Sequence, residues 1–411
     1  MRVRYLYSAC IAIETPDVRI VCDPWFTDHI YDHAWVQWPR VFPSCDAAAD
    51  AIGPVDVIYL SHLHPDHYDP NMVRALLARN PNLAILSGHR GLSHALVRDG
   101  FRSWATVDAV DRDWRIGGTR LRIVPNQATH FQNIDTALAV VHGTQSIVNL
   151  NDNLFDAGQL DVMQVLLGGS RPTLACLPYA GAGPWPHTFD LAENERRAAE
   201  TALLAKGLAQ YQRFVDALNP EIAMPFAGLY WLAGPLSWMN PHRALPDAVV
   251  AAASTPNGLV LPEGEDSWLD LDTGTPSKVR TEPLDVVEAQ RYVQSLPWPG
   301  FPWATDPEPR DNALDAWMLR AVLQARQRVP LPEDARASRL TLETDTGWLW
   351  DIKVRSDLQE SLHVTVDARH LAGLLTGRYK WNHAQVGSTV RHRRVGQYDR
   401  DIVAFLEALH V

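Results

Sequence analysis

Cysteine is scarce: the chain has four in 411 residues, Cys10, Cys22, Cys45 and Cys176, with no Cys-x-x-Cys pair among them. That spacing excludes a thiolate zinc site and a disulfide framework, and leaves all four as small buried hydrophobes. Positive charge is also short. Lys and Arg number 37 against 48 Asp and Glu, a formal net charge of -11, which argues against a general nucleic-acid surface because phosphate binding needs an excess of cations. The one basic run, Arg391-His392-Arg393-Arg394, reads as a solvated face. No apolar stretch approaches the roughly 20 residues that span a bilayer, and charge and proline break MRVRYLYSACIAIETPDVRI before a signal-like core forms. These absences predict a cytoplasmic protein with neither nucleic acid nor membrane as a partner. What remains is an ordinary globular composition, 46% apolar and 21% charged. A single core rarely grows past about 250–300 residues, so a large domain over 1–265 and a smaller α+β unit over 280–411 are expected.

The first 60 residues read as successive strands, RVRYLYSACIAIET, VRIVCDP and VDVIYLSH. Asp69 followed by Pro70 predicts a helix start, with aspartate as N-cap and proline at the first helical position; Met72, Val73, Leu76 and Leu77 then share a face. Strand signals recur at LAILSG, TRLRIVPNQATHF, TALAVVHG, QSIVNLND, LACLPYA and EIAMPFAG, with a long helix from about 194 to 218. Strands with interspersed helices predict two β-layers covered by helices. Beyond the large domain, helices are expected at 284–296 and 313–329, flanking the linker LPWPGFPWATDPEPRDN. RLTLETDTGWLWDIKV then reads as a hairpin.

Between strand and helix stands VDVIYLSHLHPDHYDP, residues 55–70. His62 and His64 point to one side only if the chain is extended there, while Asp66 and His67 fall where it tightens towards the helix. Two sets of ligands can therefore aim at two nearby points, the layout of a dinuclear metal centre. Imidazole and carboxylate suit Zn, Fe, Mn or Co alike. Further ligands are available at His130 and Asp152, each at a predicted strand terminus.

His62-Leu63-His64-Pro65-Asp66-His67, followed by His130 and Asp152, resembles the metallo-β-lactamase superfamily. The resemblance implies an α/β fold, the αββα sandwich, with two metals at one edge between the sheets and Asp152 bridging them. Asp23 matches an aspartate that is structural in the family. A closer resemblance, to the cytidine-monophosphate sialic acid hydroxylases and their bacterial relatives, is carried by DPWF (23–26), GAGPWPHTF (181–189), PFAG (225–228) and WNHAQVGS (381–388). It implies a non-heme diiron oxygenase, a monooxygenase acting on a small-molecule substrate with O2, whose catalytic residues include Asp66 and Asp152. Those hydroxylases also carry a Rieske domain, and nothing here matches its Cys-x-His ligand pairs, so electrons are expected from a separate protein, such as a ferredoxin or reductase, or from the substrate. At the tenth position from the proline of PFAG the hydroxylases place a histidine; here it is Gly234, and His187 and His242 are the nearest substitutes. The alternative is a dinuclear zinc or manganese hydrolase of phosphodiesterase or lactonase type, in which paired metals generate hydroxide. Trp25, Trp185, Tyr230 and Trp231 are expected to approach the metal edge and to contact a flat or apolar substrate group. The WNH segment is expected to pack the small domain onto the large one.

Overall fold

The computed structural model describes residues 1–88, 90–101, 106–108, 113–127, 134–329, 337–354, 358–396 and 400–411. Two sheets face each other. The first runs, edge to edge, Thr275–Pro276, Trp268–Asp270, Arg2–Tyr7, Cys10–Glu14, Arg19–Cys22, Val57–Leu60, Ala84–Ser87 and Thr106–Asp108. The second runs Ile222–Phe226, Leu174–Pro178, Gln145–Asn149, Thr136–His142, Thr119–Pro125 and Asp113–Ile116.

Alternation along the strands decides which core each side chain joins. Ile20, Cys22, Val57 and Tyr59 enter the layer between the sheets, against Leu121, Ile123, Leu138 and Met224. Val21, Ile58 and Leu60 face outward and are covered by residues of helices Cys45–Ile52, Pro70–Arg79 and Arg90–Arg98. On the outer face of the second sheet, Ala137, Val148, Ala175 and Leu177 pack under helices Ala157–Leu166, Glu193–Leu218 and Ala248–Ala252. Helix, sheet, sheet, helix is the expected order of layers. Each fully buried Val, Leu or Ile contributes about 1.5–3 kcal/mol to holding them together.

Two local expectations change. RVRYLYSACIAIET is a hairpin of two antiparallel strands, because Ser8 turns the chain at φ 48°; with no Gly, Asn or Pro at the turn, the sequence carried no signal of it. Cys45 is half-exposed at the start of its helix, unlike the three buried cysteines.

Towards the C-terminus a four-stranded sheet runs Leu349–Lys353, Ala337–Thr344, Leu358–Val366 and Arg391–Val395. Helices Asp311–Arg328, Ala368–Leu375 and Arg400–Glu407 enclose its own core, which includes Trp303, Leu340, Val364 and Phe405. The basic run lies on the last strand of this sheet, whose outer edge is covered by residues 188–190 through backbone hydrogen bonds to His392; His392 is therefore buried, against the solvated face expected for the whole run. Helix Val286–Ser295 packs instead through Ala289 and Val293 on Val36, Trp38 and Trp231. Among the described residues, no helix is long and apolar enough to cross a membrane.

Candidate metal centre

Strand Val57–Leu60 stops at Ser61, and the next eight residues form the loop that carries the ligand candidates. The loop tightens where His67 and Tyr68 both donate backbone N–H groups to the His64 carbonyl. It ends at Asp69, whose carboxylate accepts from the N–H groups of Asn71 and Met72 as the expected cap. The same carboxylate also accepts from the N–H groups of Phe26 and Thr27, which ties the DPWF loop to the helix start. Thr136 fastens the loop to the opposite sheet, its hydroxyl donating to the Ser61 carbonyl at 2.8 Å.

Each imidazole turns one nitrogen to an oxygen that holds it and the other to a shared space. His62 places Nδ1 3.0 Å from the Ser61 hydroxyl and Nε2 2.9 Å from His64 Nδ1. His64 places Nε2 2.8 Å from Asn382 Oδ1. His67 places Nδ1 2.9 Å from Asp23 Oδ2, and its Nε2 lies 3.1 Å from Asp152 Oδ2 and 3.4 Å from Asp66 Oδ2. Two foci result: His62 Nε2 with His64 Nδ1, and His67 Nε2 with the two carboxylates. Ligating histidines are held in this way, by an oxygen on the nitrogen that does not bind the metal.

The donors fit cations on further grounds. Ligand atoms of His62, His67 and Asp152 lie within 4.8 Å of one another. Asp152 Oδ1 is buried with no hydrogen-bond partner, a costly state that a bound cation relieves. Burial opposes a charged His67, yet Asp152, Asp66 and Asp23 outweigh it and raise the imidazole well above its ordinary value. Burial likewise opposes a charged Asp66, but His67, His64 and the Tyr31 hydroxyl hold its carboxyl down to about 2. Burial together with the Asp152 charge pushes Asp135 up to about 7. Crowded negative charge is what a divalent ion neutralises.

Asp23 is fully buried, at φ 43°. Besides holding His67 it accepts from the Ser61 N–H and hydroxyl at 2.7 and 2.6 Å. Tyr31 and Asp135 were not legible as site residues in the sequence. The Tyr31 hydroxyl donates to Asp66 Oδ1 at 2.7 Å, delivered by a turn in which His29, Tyr31, Asp32 and His33 all have φ between 51° and 71°. Successive non-glycine residues there are strained and persist only when the surroundings hold them. The density of His and Asp in DHIYDH was the available signal. Asp135 Oδ1 lies 3.6 Å from His62 Nδ1.

His130 lies outside the described residues. His187 and His242 are not brought to the cluster: His187 Nε2 bonds to the Ser388 hydroxyl at 2.7 Å, and His242 Nδ1 pairs with Glu200 at 2.9 Å. At Gly234, φ is 54° and an added Cβ would stand 2.4 Å from the Trp298 ring. The indole fills the space in which a side chain at 234 would begin, so a histidine does not fit there.

The expected substrate contacts divide. Tyr31 packs on Trp35 with centroids 4.3 Å apart, and Trp35 stacks on Tyr230 at 3.7 Å, so a buried aromatic stack leads from Asp66 into the core. Trp231 packs edge-on against Trp38, with Arg243 over it. Trp25 is buried against Tyr7 and Trp35. Trp185 packs on Phe189 beneath Arg394. A cleft of about 610 Å³ between Arg40, Phe42, Glu263 and Lys278 contains none of the candidate ligands.

Residues 2–176 match the family model of the beta-lactamase superfamily domain. A Mycolicibacterium smegmatis protein named as a Rieske 2Fe-2S iron-sulfur protein is 28% identical over 251 residues, 59% of this chain and 45% of that protein. Chimpanzee (Pan troglodytes) cytidine monophosphate-N-acetylneuraminic acid hydroxylase is 28% identical over 236 residues, 56% of this chain and 38% of that protein. The solved structure of CmlA, a diiron β-hydroxylase from Streptomyces venezuelae, aligns with a TM-score of 0.41 at 17% identity, over 62% of this chain and 49% of that one. The chain thus spans less than half the length of these curated relatives. Residues 2–176 are thus similar to the beta-lactamase superfamily domain, and the chain is similar, over more than half its length, to the cytidine monophosphate-N-acetylneuraminic acid hydroxylases.

Proposed function

We propose that this chain is a metal-dependent oxidoreductase, a non-heme diiron oxygenase that oxidises a small-molecule substrate with O2. The observation that carries this reading is its sequence similarity to the hydroxylases, 28% over 236 residues. The donor set supports a metal centre and is equally compatible with zinc or manganese. By the family pattern His62, His64 and His130 would hold one ion, Asp66 and His67 the other, with Asp152 between them. A bound iron pair supplies reduction of O2 and oxidation of a C–H or N–H bond. Asp66 and Asp152 are the carboxylates assigned to the reaction, Asp66 oriented by Tyr31 and Asp152 with one oxygen still unpartnered. Of the aromatic residues expected to receive a flat or apolar substrate group, Tyr230, linked to Asp66 through Trp35 and Tyr31, keeps that assignment, while Trp25, Trp231 and Trp185 are assigned to packing. The electron donor would be a ferredoxin or reductase, in line with the Rieske-named relative.

Metal analysis of protein from iron-supplemented, aerobically grown cells tests the reading. It predicts about two irons per chain, with visible absorption that changes on reduction and again on exposure to O2. Two zincs with turnover of phosphodiester or lactone substrates would establish the hydrolase instead.

A further inference from the structure

We propose that Asn382, in the C-terminal unit, is a positioning residue of the metal centre: it fixes the tautomer and ring direction of the ligand candidate His64. This rests on the metal-centre reading above. Asn382 is the second residue of the helix Trp381–Val386, 318 residues from His64, and its Oδ1 lies 2.8 Å from His64 Nε2. A carboxamide oxygen only accepts, so Nε2 must carry the ring proton. The lone pair is then on Nδ1, the atom that faces His62 Nε2 at 2.9 Å, where the ligand atoms converge.

The carboxyl of Glu407, from the last helix, accepts from Gln385 Nε2 at 3.0 Å and braces the same short helix. Anchors from both units hold the short helix in place. Trp35 Nε1 donates to the Val386 carbonyl at 3.2 Å, and Trp381 Nε1 to the Leu409 carbonyl at 2.7 Å. His383 meets the Tyr31 ring edge-on at 5.3 Å. At Gly387 an added Cβ would stand 2.7 Å from the His383 carbonyl and 3.2 Å from that of Tyr31, so glycine permits the close approach. One helix therefore touches both foci, His64 through Asn382 and Asp66 through Tyr31. The C-terminal unit completes the centre as well as packing against the domain that carries it.

The test uses the full chain and cobalt(II) as the probe, followed by its visible absorption and by competition with a chelator. Removing a partner of this kind weakens metal binding about 10–100-fold, and Asn382→Leu is expected to do so at one of two sites. Asn382→Asp keeps an acceptor on His64 and is expected to retain binding. In the metal-free wild type, ¹⁵N imidazole NMR is expected to show His64 protonated at Nε2, a readout that needs no variant to fold. Unchanged cobalt affinity in a folded Asn382→Leu, or His64 protonated at Nδ1, overturns the proposal while leaving the metal centre standing. A wild type that binds no cobalt, iron or zinc overturns both.

Discussion

Asp23 shows how much a single side chain does here. Fully buried, it spends one oxygen on the Ser61 N–H and shares the other between the Ser61 hydroxyl and His67 Nδ1. With His67 Nδ1 thus engaged, Nε2 is aimed at Asp66 and Asp152. Asp23→Ala is expected to weaken metal binding by about 10–100-fold, measured by chelator competition with the fold checked by circular dichroism. Wild-type affinity in a folded variant would mean that packing alone sets the ring. Local chemistry of this kind was largely readable in advance: His62, His64, Asp66 and His67 lie within six positions and their spacing alone suggested two foci. Tyr31 and Asn382 were not readable as site residues, because their partners are 35 and 318 residues away and neither residue type announces a metal.

At the scale of elements, strands and helices with complete local signals formed as expected. The helix at 70–79 has its cap, its proline and its apolar face in sequence. The turn at 29–33 has none of the glycines or asparagines that favour positive φ, and only tertiary contacts hold it. Gly234 belongs to the same class, since its meaning depends on Trp298, whose indole donates to the His33 carbonyl at 3.0 Å.

Glu407, at the end of helix Arg400–Glu407, offers a prediction at this scale. Burial raises its carboxyl from 4.5 to about 7, against the lowering effect of Asn382 and Gln385. A carboxyl raised on folding favours the folded state while protonated, and that contribution is lost as pH climbs from the unfolded value through the folded one. Wild-type stability should therefore fall between about pH 5 and 8 by roughly 2–3 kcal/mol relative to Glu407→Gln. Urea titrations at the two pH values check this. Parallel pH profiles would contradict it.

Across the whole molecule, the layer order was legible in the succession of strands with interspersed helices. How the units join did not follow. Helix Val286–Ser295, seen in the sequence as an element, covers Val36, Trp38 and Trp231 of the large domain, and the WNH segment expected to pack the units together also reaches the ligand loop. Such contacts depend on surfaces that only the folded chain brings into register.

The central claim is that two cations lie side by side at the rim of the double sheet. X-ray absorption fine structure on the metal-loaded full chain measures this directly. Nitrogen and oxygen ligands including imidazole are expected, with a second metal at about 3.5–4 Å, and loss of that metal–metal signal in His62→Ala. A single isolated ion, or a metal pair unaffected by that substitution, would contradict it.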